Sequence, residues 1–226
     1  MSGKNLLLTE EQRELAEMAA QIVNTELAPR VADLDRTGEF PMDVMEILRN
    51  SGFYGMGIPE QYGGLGFDNT TQMAIYEEIA RVDAGFSFNF ALASGEFGIL
   101  EDAGASEELK KYYADKILSG SVCSFCLTES QAGSDASNIS TTAVREGDEY
   151  VINGTKCFIT NGALADLFMV FAYTDKSKGA KGISLFLAEK EDGVKIGKTE
   201  DKMGLKLSVT SEVIFDDVRV PASRLI

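Results

Sequence analysis

Apolar positions recur at helical spacing through the first half of the chain and alternate like strands through the second. Thr9 with Gln12 has the spacing of a capping box, and Leu15, Met18, Ala19, Ile22 and Val23 follow on one face. A helix is therefore predicted from residue 9 to the region of Pro29. A second is predicted to start at Pro41, a favoured first position, and to stop near Gly52. Residues 71–82 and 86–102 read as two more. The last spans 106–118, with Glu107 and Glu108 in its first turn, where the helix dipole favours anions. The stretch GMGIPEQYGGLG (55–66) has neither a preceding β-rich run nor a following Lys-Ser/Thr. It reads as a structural crossing loop and not as a phosphate loop.

Beyond residue 120 the pattern changes. STTAVRE ends at Gly147-Asp148, and EYVI ends at Asn153-Gly154, a strong tight-turn signal. KCFIT, DLFMVFAY, GISLFLAE and SEVIFDDVRVP follow as further strands. The Lys-rich TDKSKGAKG between two of them reads as a solvated hairpin tip. The expected fold is α+β: an all-α helical domain over 1–120, then a small β-barrel-like domain over 121–226.

Charge narrows the partners. The chain of 226 residues carries a net charge of −15, of which residues 1–120 contribute −12 and residues 121–226 contribute −3. Nucleic acid and anionic membrane surfaces are excluded as partners, because both are bound by clustered Lys and Arg. An anionic ligand is better tolerated by the second half. The opening MSGKNLLLTEEQ is neither a secretory signal nor an Arg-rich transit peptide. A cytoplasmic protein is expected, or one of the mitochondrial matrix if the chain is a processed form.

There are three cysteines and no histidine. Cys123, Cys126 and Cys157 fall one ligand short of a closed zinc site, so no metal is expected. Cys123 and Cys126 form a C-x-x-C inside an apolar strand pattern, not at a helix N-terminus, and read as small, partly buried strand residues. Without histidine, acid–base work falls to carboxylates, Lys or Tyr.

The least ordinary stretch is CSFCLTESQAGSD (123–135), where an apolar run gives way to small polar residues. Such a strand exit offers backbone N–H groups, and Gly133 lets a ligand approach the backbone. Thr128, Ser130 and Ser134 supply rotatable hydroxyls, which suit a planar heterocycle attached to a phosphate. A plain polar turn accounts for the same residues equally well. Glu129 and Asp135 are candidate catalytic carboxylates, with a turn or network role the commoner fate.

CSFCLTESQAGSD together with INGTKCFITNGALAD resembles the paired signatures of the acyl-CoA dehydrogenase family. The first is similar to the family's L-T-E-P-x-A-G-S-D loop, with Ser130 in place of the usual proline. The second is similar to its N-G-x-K-x-(W/F)-I-T-N-(G/A) strand. GIPEQYGGLG and KMGLKLSVTSEVIFDDVRVP extend the resemblance over essentially the whole chain.

The resemblance implies an FAD-dependent α,β-dehydrogenation of acyl-CoA thioesters, with electrons passed to an electron-transferring flavoprotein. It implies flavin contacts at Phe125, Leu127 and Thr128, near the pyrimidine end of the ring. Gly133 and Ser134 are placed against cofactor phosphate or acyl-CoA. Phe158 and Ile159 lie beside the flavin, and the Thr160 hydroxyl near N5. Glu96, on an otherwise apolar stretch, is placed near the end of the acyl tail, with a solvent-facing glutamate the commoner fate. The family's catalytic glutamate lies in a C-terminal helical domain, so no residue of 1–226 is assigned as the base. This chain is accordingly expected to be a truncated, homo-oligomeric enzyme's first two domains and inactive alone. The alternatives are a non-catalytic binding or scaffold module, or an acyl-CoA oxidase-like flavoenzyme; Thr128, Ser134 and Thr160 favour a flavin enzyme.

Overall fold

The computed structural model describes residues 7–93 and 97–226. The chain folds as two compact units. One holds the chain up to Ala91 together with Lys202–Ser208, and the other holds Leu92–Asp201 with Val209–Ile226.

The first unit is helical. Helix α1 (Glu10–Glu26) opens on the predicted capping box: the Thr9 hydroxyl accepts from Gln12 N–H at 3.2 Å, and Gln12 Oε1 accepts from Thr9 N–H at 3.0 Å. A 3₁₀ turn at Ala28–Arg30 then leads into α2 (Val31–Thr37), a helix the sequence pattern did not single out. Gly38 ends it in the left-handed conformation, φ 72°. Helix α3 (Met42–Leu48) begins just after Pro41 and runs into a π-type turn that ends past Gly52. The glycine-rich stretch is a crossing loop, as expected. Gly64 presses so close to the Ile58 carbonyl that an added Cβ would lie 2.1 Å from its oxygen.

Helix α4 (Asn69–Val82) is capped by the Asp68 carboxylate, which accepts from Thr71 N–H at 2.8 Å. Helix α5 (Ala84–Ala93) carries Phe86 and Phe90 into the core, where Phe86 stacks on Phe40 at 5.5 Å and Phe90 meets Tyr54 at 5.9 Å. The run expected as one helix over 86–102 is described as α5 and α6 (Phe97–Asp102), with residues 94–96 outside the described set.

The second unit combines α6 and α7 (Glu107–Leu118) with a curled, mixed, seven-stranded sheet. Its strands are β1 (Cys123–Cys126), β2 (Thr142–Glu146), β3 (Glu149–Thr160), β4 (Leu167–Tyr173), β5 (Ile183–Glu189), β6 (Lys195–Thr199) and β7 (Thr210–Pro221). The order is β1-β4-β2-β3-β7-β6, with β5 also paired to β4. Strand β4 runs parallel to β1 and β2 and is buried along nearly its whole length, as strands covered on both faces are. Phe168 and Phe215 meet edge to face at 6.4 Å in the core, and Tyr150 lies 4.9 Å from Phe186. The Lys-rich segment between β4 and β5 is an exposed turn, as expected.

Two strand expectations need correction. Gly147-Asp148 does turn the chain, with Gly147 at φ 64° and Glu146 paired to Glu149. Asn153-Gly154 does not. Strand β3 runs straight through it, because β7 is long enough to pair along the whole of β3. Asn153 instead bonds across to the bulged Asp217, donating from Nδ2 at 3.0 Å and accepting from Asp217 N–H at 2.9 Å. Gly154 is required by close approach, since a Cβ there would lie 2.2 Å from Thr141 Oγ1. Strand β6, KIGKT, was missed because its alternation carries a single apolar side chain.

Candidate functional site

The residues singled out in CSFCLTESQAGSD and INGTKCFIT are brought together by strand pairing and one bulge. Strand β1 delivers Phe125, whose ring packs on Phe171 at 4.9 Å. The chain then leaves the sheet at Leu127 and Thr128. Strand β3 returns beside it, and Cys157 N–H donates to the Thr128 carbonyl at 2.9 Å.

Just past that bond, β3 holds one residue more than β7 between the pairs Lys156–Val213 and Ile159–Ser211. Such a bulge re-aims side chains. Phe158 sits in it at φ 58°, unusual for a bulky residue, with 64% of its surface exposed. Ile159 is buried against the core, so its contribution to any ligand is through its backbone. Thr160 closes the strand, half-buried, and Asn161 turns away at φ 64°.

The hydroxyls of Thr128 and Thr160 have no side-chain hydrogen-bond partner among the described residues. Gly133 and Ser134 are exposed in the loop, and a Cβ at Gly133 would meet nothing within 4 Å. Glu96 lies outside the described residues.

What the sequence reading missed is the post that holds this loop. Lys156 Nζ donates to Glu129 Oε1 at 2.8 Å and to the Leu127 carbonyl at 3.1 Å. Glu129 is no free carboxylate. Besides Lys156, it accepts from the N–H and hydroxyl of both Ser140 and Thr141 and from Gln131 Nε2, over 2.5–3.1 Å. Burial by itself would raise its pKa, but the hydrogen bonds from Lys156, Ser140 and Thr141 outweigh that and hold the carboxyl well below its usual range. Burial lowers the Lys156 pKa against the opposing pull of Glu129. Both side chains are fully buried, and the carboxylate has five further donors. The signal for this pair was present: Lys156 is in phase with buried Ile152 along β3, and a lysine on a buried face calls for an acid.

Asp135 accepts from Ser137 Oγ at 2.6 Å within its own turn. Cys123 and Cys126 are buried, and Cys157 is half-buried. Cys126 is fully buried, and burial pushes its pKa up to about 12. Burial also raises Cys157. Among the described residues no cluster of His, Cys, Asp and Glu has the makings of a metal site. No helix among them is long and apolar enough to cross a membrane.

Comparison with known proteins gives this arrangement its family. Residues 9–121 match the acyl-CoA dehydrogenase N-terminal domain, and residues 124–218 match the acyl-CoA dehydrogenase middle domain. The chain belongs to the acyl-CoA dehydrogenase family. It is 41% identical to a probable acyl-CoA dehydrogenase of Mycobacterium leprae (fadE25), over 97% of this chain and 57% of that protein. It thus spans a little over half the length of this curated relative. Among solved structures it resembles a chain from work on the electron transferring flavoprotein of Acidaminococcus fermentans and flavin-based electron bifurcation. That match has a TM-score of 0.92 and 41% identity, covering 98% of this chain and 59% of that one. It also resembles a glutaryl-CoA dehydrogenase of Mycobacterium smegmatis solved in complex with FADH2, with a TM-score of 0.87 and 31% identity, covering 98% and 56%.

Proposed function

We propose that this chain supplies the flavin- and acyl-CoA-facing part of an FAD-dependent acyl-CoA dehydrogenase that passes its electrons to an electron-transferring flavoprotein. The single observation that carries the reading is the β3 bulge. It turns the Phe158 ring outward between Cys157, whose N–H holds the Thr128 carbonyl, and Thr160, whose hydroxyl has no partner among the described residues. These residues fit a flavin: an exposed aromatic to cover a ring, and hydroxyls with hydrogen-bonding capacity to spare. The FADH2-bound and flavoprotein-linked relatives point the same way.

Bound FAD would supply the two-electron acceptor for the substrate's β-hydride. In this reading Thr160 donates a hydrogen bond toward the atom that gains charge, and a preorganised donor there stabilises that charge. Thr128 hydrogen-bonds the pyrimidine end, with Phe125 and Leu127 contributing backbone. Phe158 covers the ring and excludes water. Gly133 and Ser134 face phosphate or acyl-CoA. The α-proton is assigned to no residue of this chain; Glu129, the buried carboxylate of the loop, has both oxygens occupied by six donors.

The test is to load the chain with FAD and add butyryl-CoA and longer acyl-CoAs without oxygen. Saturable binding of both, with the flavin spectrum perturbed but not bleached, is the expected result. Failure to bind either ligand would overturn the assignment. Bleaching would overturn the statement that no base lies within 1–226.

A further inference from the structure

Thr128 is held from both sides by one ammonium. Lys156 Nζ bonds the carbonyl of the residue before it, Leu127, and the carboxylate of the residue after it, Glu129. The other five donors to Glu129 come from Gln131, Ser140 and Thr141, all on the segment between β1 and β2. Lys156 alone among them belongs to β3, the strand that carries Phe158 and Thr160. The next residue, Cys157, adds the backbone bond to the Thr128 carbonyl. Loop and strand are therefore tied at three consecutive residues, Leu127, Thr128 and Glu129, by two consecutive residues of β3.

We infer that Lys156 is a positioning residue: it fixes the Thr128 hydroxyl relative to Thr160, so that both meet one planar ligand. This rests on the flavin reading above. Lys156 touches no ligand, because its side chain is fully buried. What it supplies is register. Removing it leaves Glu129 with five donors, enough to keep the loop folded on itself, but frees the loop to shift along β3. A lysine with a merely structural role would weaken the whole sheet. A lysine that sets register loosens one seam and lowers affinity for the ligand that spans it.

The experiment compares the wild-type chain with Lys156→Met, a variant of similar length without donors. Amide exchange of Cys157, which reports the bond to Thr128, should quicken roughly tenfold, as loss of about one hydrogen bond allows. Exchange along the β4–β5 pair should stay unchanged. FAD affinity should fall several-fold, yet Lys156→Met should cost little further in a Thr128→Val background. If Lys156→Met does not fold, the paired change Lys156→Met/Glu129→Gln removes both charges and is read in the same way. A uniform rise in exchange across the sheet, or an unchanged Cys157 amide, would overturn the inference. So would equal losses of FAD affinity in the two backgrounds. If the wild-type chain bound no FAD, the flavin reading itself would fall, and the exchange data would still decide whether Lys156 sets the loop.

Discussion

The Lys156 ammonium lies 2.8 Å from the Glu129 carboxylate, and the two side chains are 0% and 1% exposed. Such a pair gives little net stability over an apolar substitute, but leaving one member alone is costly. Glu129→Ala, which strands the buried Lys156 ammonium with only the Leu127 carbonyl, should destabilise the second unit by about 3–5 kcal/mol. Chemical denaturation followed by circular dichroism measures it, and a loss below ~1 kcal/mol would show that water or a shifted loop satisfies the remaining charge.

The same pair sets an acid limit. Glu129 has its folded-state pKa depressed, so its contribution is complete above its unfolded value of about 4.3 and is lost as pH falls toward the folded value. Below about pH 4 the wild-type chain should lose stability with a slope that includes one extra proton, ~1.4 kcal/mol per pH unit. Glu129→Gln should be less stable at neutral pH and flatter below pH 4. Parallel curves for the two proteins would contradict the assignment.

Gly154 touches this network from the next strand. Its absent Cβ would sit 2.2 Å from Thr141 Oγ1, which itself donates to Glu129 at 2.5 Å. Gly154→Ala should therefore cost about 1–3 kcal/mol, as overpacking does, despite alanine's better fit to an extended strand. A neutral or stabilising result in a denaturant titration would mean that Thr141 moves aside freely.

The cysteines give a chemical check. Cys123 and Cys126 are buried in β1, three residues apart and therefore on opposite faces of the strand. In the native chain neither should react with a thiol reagent at pH 8, and both should react after unfolding. Half-buried Cys157 should react slowly. Stoichiometric zinc in chelator-washed protein, or prompt labelling of Cys126, would contradict this.

Much of this fold was legible locally. The Thr9–Gln12 box, the helix start at Ser106 and the Gly147 hairpin depend on residues a few positions apart, and short-range chemistry fixes them. The Asp68 cap was not singled out, and its helix starts two residues earlier than expected. Asn153-Gly154 shows where that logic ends. Its local preference is a turn, and the long-range pairing of β3 with β7 overrides it. The site divides in the same way. Thr128, Phe158 and Thr160 stand out as motif residues, whereas the phase of Lys156 signals only that it needs an acid, and Glu129, 27 positions away, is identified as that acid when β3 returns beside the loop. The bulge at Phe158 escaped notice for a related reason, since nothing in KCFIT requires an extra residue until β7 is laid against it.

The central claim is that Thr128 and Thr160 form one flavin-binding face. The measurement that tests it most directly is FAD affinity, by flavin fluorescence, for the wild-type chain, Thr128→Val, Thr160→Val and, as a control at the exposed β2–β3 turn, Arg145→Ala. Each threonine change should weaken binding about two- to tenfold, the worth of one hydrogen bond of ~0.5–1.5 kcal/mol, and the control should bind as the wild type does. Wild-type affinity in both threonine variants, or an equal loss in the control, would contradict it.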